Sequence, residues 1–558
     1  MTRRGIIMAL AGIVVAAMLV AASTWRVYIN TWDEPEHLAA GLQLLNTGHY
    51  TYDIQHPPLA RVAIALGPWV MGAKSLNLPP PDGKPEGLVI LYGEGHYWSM
   101  LSAARAGTLP FLGLLIVMTY LWARQQLAAP ESLVAAALVA SLPPILGHAG
   151  LATIDIAATA TVLTMLYAWR HWLERPNWSA AIWMGLASGL ALGVKLSAIP
   201  FGAIGMAVLT LIDRIDTRSA TPPASPTRAT RALQLTLMTG LVAVILTLAY
   251  GGGFEYLTGA DHKFNQALYF LFGKTGRLHD IAYTVFAWFE VPVAFQWYLG
   301  GIEALTVHNQ AGHLSYLLGQ SRLDGWWYFY LVALWVKTPL PIMLVGLWGW
   351  FALGKQALNT RRVKLITVPA LALALLLFAS VYSHINIGVR HVLIIYPLLM
   401  IGAAHTLAQC FAHVHTLSGL GRSLALAAVA LFLAQPIWTV LHEWPDYLPY
   451  FNATVTDPEQ VLVDSDLDWG QDLARLSQRL AQLHVPEIAI AYSGSAVMAN
   501  EHLPPYTLLA PDQRAVGWVA VSALARVDAP HKFSWLNLYT PIERVGKTID
   551  LYYIPALH

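Results

Sequence analysis

The sequence predicts a polytopic α-helical membrane protein with about eleven spanning helices and a small C-terminal α/β domain outside the bilayer. Three observations predict it. Of the 558 residues, 56% are hydrophobic and only 12% are charged, whereas soluble domains carry about 25% charged residues. Apolar stretches of about 20 residues, the length that crosses a hydrocarbon core, recur over the first 441 positions. From about His442 onward charged residues become frequent, and apolar runs shorten to strand length. The net charge of +1 provides no field to attract nucleic acid or an acidic partner. The single cysteine, Cys410, cannot form an intramolecular disulfide.

The candidate spans lie near residues 5–24, 101–123, 131–149, 153–170, 178–196 and 198–213, then 232–251, 327–353, 365–383, 391–409 and 423–441. The first follows Arg3 and Arg4 and reads as an uncleaved span, because no small-residue cleavage site precedes Trp25-Arg26. Connections bearing Arg124, Arg170 with Arg175, Arg214 to Arg231, Lys355 to Lys364, and Arg422 all fall on the side of the N-terminus. By the positive-inside rule that side is cytoplasmic. The opposite compartment then holds the outer loops 25–100 and 252–326 and the tail 442–558, against a membrane domain of residues 1–441. The stretch Ile281 to Leu305, with Glu290 and Pro292, is assigned to the membrane interface. Thr221-Pro-Pro-Ala-Ser-Pro226 is a flexible cytoplasmic linker. In the tail, strands are expected at Val461 to Val463, Glu487 to Ala491, Gly517 to Val521 and Asp550 to Tyr553, with a helix over Asp472 to Leu483.

Directly after the first span, Trp32-Asp33-Glu34-Pro35-Glu36-His37 delivers three carboxylates to the membrane surface. Spanning helices need Trp, Lys or Arg as interfacial anchors, so acids placed here point to function. The competing role is helix capping by Asp33 or Glu34. Next, Tyr52-Asp53-Ile54-Gln55-His56-Pro57-Pro58-Leu59-Ala60-Arg61 sets His56 at a helix N-terminus, where an anion is favoured, and Arg61 about one turn later.

These motifs resemble the first outer loop of the protein O-mannosyltransferases: an acidic pair after the first span, then His-Pro-Pro-Leu followed by a basic residue. Together with the bacterial aminoarabinose transferases of lipid A, those enzymes form part of the integral-membrane class called GT-C. The likeness extends to Thr153-Ile154-Asp155, Gly193-Val194-Lys195, Tyr316-Leu-Leu-Gly319, Lys337-Thr338-Pro339 and Ile385-Asn386-Ile387-Gly388-Val389-Arg390-His391. The tail stretch Asp464-Ser-Asp-Leu-Asp-Trp-Gly-Gln-Asp472 is similar to one in the bacterial branch, while the sugar-binding-like repeats of the eukaryotic enzymes are missing. The resemblance implies a multi-pass protein of a bacterial inner (plasma) membrane. Its implied activity is inverting transfer of a mannose-like hexose or a pentose from a polyprenyl-phosphate carrier to a hydroxyl of a protein, lipid or glycan. Asp33 matches the family's catalytic acid and would be the general base, with Glu34 and Asp155 orienting the acceptor or tuning that base.

Such a transfer needs a base for the acceptor proton and cations for the phosphate. His56, Arg61, Lys195, Lys337, Arg390 and His391 all fall at or near the outer ends of expected spans and are the candidate phosphate ligands. Each has a competing role. Asp155 suits a helix cap, Arg390 can snorkel to headgroups, and Lys337 can pair with carbonyls freed where Pro339 and Pro341 break a helix. The run Trp326-Trp327-Tyr328-Phe329-Tyr330 suits a prenyl tail or sugar, and equally an interfacial belt. Asp464, Asp466 and Asp468 alternate like Ca²⁺ ligands, but Trp469 stands where an EF-hand needs glycine and Arg475 where it needs glutamate, so they read as a turn and helix cap. No Gly-rich nucleotide fingerprint is present, so no cofactor or metal is assigned. Two other classes fit the composition: a transporter or lipid flippase, with Lys337 as an intramembrane charge, and an assembly subunit whose tail binds partners.

Overall fold

In the computed structural model the chain is described over residues 1–80, 83–217, 226–251, 291–510, 512–528 and 533–556, together with 256, 257, 277, 280 and 284. Lipid offers no partner to a backbone amide, so an apolar stretch of spanning length must satisfy its hydrogen bonds internally. All eleven expected stretches are accordingly helical. Among the described residues, seven helices are long and apolar enough to cross a membrane. They become eight if Ala129–Ala140 and Pro143–Ala149, bent by 62° at their junction, form one span. The chain is thus a multi-pass membrane protein, with fewer unbroken apolar helices than eleven. Asp155–Glu174 carries charges at both ends and is buried almost throughout by its neighbours, so it does not need a lipid-facing composition. Trp178–Val194 has only 17 residues. The stretch expected over 327–353 divides at Thr338-Pro339 into Phe329–Lys337 and Leu340–Thr360, because a proline cannot continue the preceding hydrogen-bond ladder. The cytoplasmic linker and most of the expected interfacial stretch lie outside the described residues; helix Val293–Ala311 covers the end of the latter.

Helices pack closely where side chains are small. A Cβ on Gly349 would stand 1.9 Å from the carbonyl oxygen of Gly402, so Leu340–Thr360 and Ile395–Val414 meet backbone to backbone. The connections expected to be basic gather at one end. Lys364 Nζ lies 3.2 Å from Asp216, and Gln126 donates to the Lys364 carbonyl. Arg170 precedes the last turn of a helix that starts at Asp155, about 22 Å away at 1.5 Å per residue.

At the other end, the chain leaves the first helix, Arg3–Ala22, and is tied down by one arginine. Arg105 donates to the carbonyls of Trp25, Tyr28 and Ile29 at 2.7, 2.9 and 3.0 Å and grips Glu34 with two further bonds of 2.7 and 2.8 Å. Helix Glu34–Thr47 starts there, with Pro35 in its first turn.

The tail forms a five-stranded mixed sheet, in the order Tyr506–Leu508, Ile488–Ala491, Gly517–Ser522, Ile549–Ile554 and Glu543–Val545. Helix Leu473–Gln482 packs its leucines on one face. Three expected strands and the helix are present. The fourth, Val461 to Val463, is not a strand: the Val461 carbonyl takes the amide of Leu318 at 3.0 Å, and the chain then makes one helical turn, Asp464–Leu467. Leu318 belongs to the tight turn of a hairpin, Ser315–Leu317 with Gln320–Arg322, in which Leu318 and Gly319 both have positive φ.

The sheet domain is seated on the membrane helices by backbone bonds. Ile29 and Trp32 amides reach the carbonyls of Gln471 and Trp469 at 3.1 and 3.2 Å. The Asp466 carboxylate takes the Val389 amide at 3.1 Å.

Candidate active site

One cavity of ≈ 930 Å³ lies where the outer loops, the helix ends and the tail converge. Its polar floor is built from Asp33, His56, Asp155, Lys195, Arg390 and His391. Asp33 occupies the N-cap position of Glu34–Thr47 but makes no side-chain cap bond, so capping does not explain it. Its carboxylate instead receives Arg390 Nη1 at 2.8 Å. Asp155, from the first turn of its helix, receives Lys195 Nζ at 2.7 Å and lies 3.8 Å from Arg390. Arg390 is braced from below by the indole of Trp469, with its guanidinium carbon 4.3 Å from the ring centre. Among the described residues, buried Asp155 Oδ2 and Arg390 Nε have no hydrogen-bond partner. His391 Nδ1 faces the Tyr330 hydroxyl at 3.2 Å, and His56 Nδ1 faces Asp53 at 2.7 Å.

Three residues expected at the site stand elsewhere. Glu34 is buried and absent from the cavity wall, because both its oxygens are engaged by Arg105 and by the amides of Thr31 and Ala152. Arg61 is wholly buried on the inner face of its helix, where it binds Asp53, the Tyr50 hydroxyl at 3.0 Å and His37 Nδ1 at 3.0 Å. It positions Asp53, and through it His56. Lys337 is buried as well, donating to the carbonyls of Leu448 at 2.8 Å and Asp466 at 2.5 Å, so its charge pins the tail and serves no ligand.

Sequence reasoning had assigned no site role to Asp464, Trp469 and His37, all of which line the cavity. The tail motif bearing the first two was visible, but local pattern alone made it a turn.

Electrostatics follow the geometry. Burial, the largest influence, pushes the Asp33 carboxyl up, but the Arg390 guanidinium together with His37 and Lys84 holds the group below its ordinary range. At Asp53 burial likewise opposes ionisation, and His56 and Arg61 overcome it more strongly. Burial keeps His37 well below the usual histidine range, consistent with its Nδ1 accepting from Arg61. Burial raises Asp464 to about 7 despite Arg390.

One part of the cavity wall, the apolar wing, is formed by Ile199, Pro200, Phe201, Phe378 and Tyr382 of the spanning helices. Another part comes from the tail, with Ser493, Leu524, Val527 and Asp528.

Residues 100–247 match the family model of the dolichyl-phosphate-mannose-protein mannosyltransferases. The matched stretch begins after the first-loop motifs and holds two of the other motifs on which the resemblance rests, those ending in Asp155 and Lys195. No curated protein matches the chain. Among solved structures, ArnT from Cupriavidus metallidurans bound to undecaprenyl phosphate is similar at 13% identity and a TM-score of 0.48, over 99% of this chain and 98% of that one. The archaeal oligosaccharyltransferase AglB from Archaeoglobus fulgidus, in complex with an inhibitory peptide and a dolichol-phosphate, is similar at 13% identity and a TM-score of 0.49, over 94% of this chain and 72% of that one.

Proposed function

We propose that this protein is a polyprenyl-phosphate-dependent glycosyltransferase that moves a mannose-like hexose or a pentose to an acceptor hydroxyl, with inversion. The observation that carries the reading is the Asp33–Arg390 ion pair at 2.8 Å inside one cavity that also holds Asp155, Lys195, His56 and His391. The family match over residues 100–247 supports the same chemistry.

In this reading the prenyl chain occupies the apolar wing, and the donor phosphate meets Arg390 and Lys195. A phosphate that competes for Arg390 loosens its hold on Asp33, whose carboxylate then regains basicity beside the acceptor hydroxyl. The cations stabilise the charge that grows on the leaving phosphate. Asp155 keeps Lys195 and Arg390 in register, and His56 and His391 add imidazoles to the same floor. Basic connections gathered at the opposite end, around Lys364 and Asp216, support an N-terminus in the cytoplasm and a cavity on the outer face of a bacterial plasma membrane. The acceptor, a protein, lipid or glycan hydroxyl, enters beneath the tail.

The test is Asp33→Asn in cells lacking the native protein. The variant is expected to insert and fold normally while lipid-linked sugar accumulates and a surface glycan stays under-decorated by mass spectrometry. Substantial residual transfer would defeat the assignment of Asp33.

A further inference from the structure

Three aspartates alternate along the tail motif, and two of them hold segments distant in the chain. Asp466 takes the Val389 amide at 3.1 and 3.3 Å. Asp468 takes the amides of Gly470 at 3.1 Å and Leu524 at 2.8 Å. Asp464 lines the cavity beside Asp466, but among the described residues its carboxylate accepts only the amide of its neighbour Ser465.

The chain holds Asp464 there against its backbone preference. Its φ is 40°, in the left-handed region where glycine is at ease and other residues are uncommon. The turn is pinned on the far side: the Ser465 hydroxyl donates to the Ile387 carbonyl, and a Cβ on Gly388 would lie 2.2 Å from that hydroxyl oxygen. Glycine at 464 would relieve the backbone, so the acid is explained by what its side chain does in the cavity.

We propose that Asp464 is a proton-relay carboxylate for the transfer reaction, receiving from Asp33 the proton released by the acceptor hydroxyl and passing it to water. This rests on the glycosyltransferase reading above. The acceptor oxygen bonds to the anomeric carbon as the bond from that carbon to the phosphate oxygen breaks. The phosphate leaves with the electron pair, and the hydroxyl proton goes to Asp33. Asp33, Asp464 and Asp466 line one cavity with Arg390, which pairs with Asp33 at 2.8 Å. Asp33 is held low by its ion pair, while burial raises Asp464 to about 7, so the proton runs downhill from the first to the second.

The experiment uses the full-length protein in detergent with polyprenyl phosphate carrying labelled hexose or pentose, following release of polyprenyl phosphate against pH. Asp464 must be ionised to receive a proton, so wild-type kcat is expected to fall as pH drops through about 7. Asp464→Asn retains the oxygen that accepts from Ser465 and tolerates a left-handed backbone, so it folds. It is expected to lose that acid limb and about 10–100-fold of kcat above pH 8 with KM little changed, while Asp464→Glu restores the limb. An Asn variant that keeps the wild-type rate and limb, beside an inactive Asp33→Asn, overturns the relay alone. A wild type that consumes neither donor overturns the parent reading.

Discussion

Glu34 sits next to the proposed base, and its predicted phenotype separates position in sequence from role. Glu34→Ala removes the acceptor for Arg105 Nε at 2.7 Å and Nη2 at 2.8 Å, and strands the amides of Thr31 and Ala152, held at 2.8 and 2.7 Å. Arg105 keeps three carbonyls, so its charge is not wholly abandoned. Breaking a buried pair from one side typically costs about 3–5 kcal/mol, and a stranded buried amide about 1–3 kcal/mol. Local relaxation offsets part of the sum, and a loss of about 3–5 kcal/mol is expected. Arg105→Ala should lose a similar amount, and the double variant less than the two singles added, a coupling of about 2–3 kcal/mol. Unfolding in detergent provides the stabilities, and donor turnover per folded molecule provides the chemistry. If Glu34→Ala unfolds within about 0.5 kcal/mol of wild type yet loses turnover, the anchoring role is wrong and Glu34 acts in the reaction.

Two further outcomes follow from the same geometry. Lys337→Met strands the carbonyls of Leu448 and Asp466, and should loosen the tail by about 2–4 kcal/mol, read as faster limited proteolysis between residues 442 and 472; unchanged cleavage would remove Lys337 as the pin. Arg390→Lys loses the planar stack on Trp469 and the fork that meets oxyanions, so donor KM should rise about tenfold or more in a turnover titration, and an unchanged KM would place the phosphate elsewhere.

Much of the fold was legible because spanning helices follow from length and apolarity, which need no tertiary knowledge. The break at Pro339 and three of the tail strands were readable for the same local reasons, whereas the sheet order and the short strands Tyr506–Leu508 and Glu543–Val545 were not, because pairing is set by tertiary contacts. Site residues divided along a different line. Asp33, Asp155, Lys195 and Arg390 sit at helix ends, and an end already fixes the depth at which a side chain emerges. Direction was hidden: Arg61 and Lys337 have suitable depths but turn inward, where Asp53 and two tail carbonyls await them. Asp464 was hidden by distance along the chain, since only the fold sets the Ser465 turn against Gly388, 77 positions earlier. The unusual glycine before Arg390 was the one trace of that approach in the sequence.

The indole beneath Arg390 comes from residue 469, so a floor assembled from helices near the start and middle of the chain is finished by a segment made late. During synthesis, the ribosome has already threaded Asp33, Asp155 and Arg390 into the bilayer before their brace exists. A nascent chain halted before Trp469 would therefore carry Arg390 without the ring that lies against it, and the floor is complete only once the tail has been made.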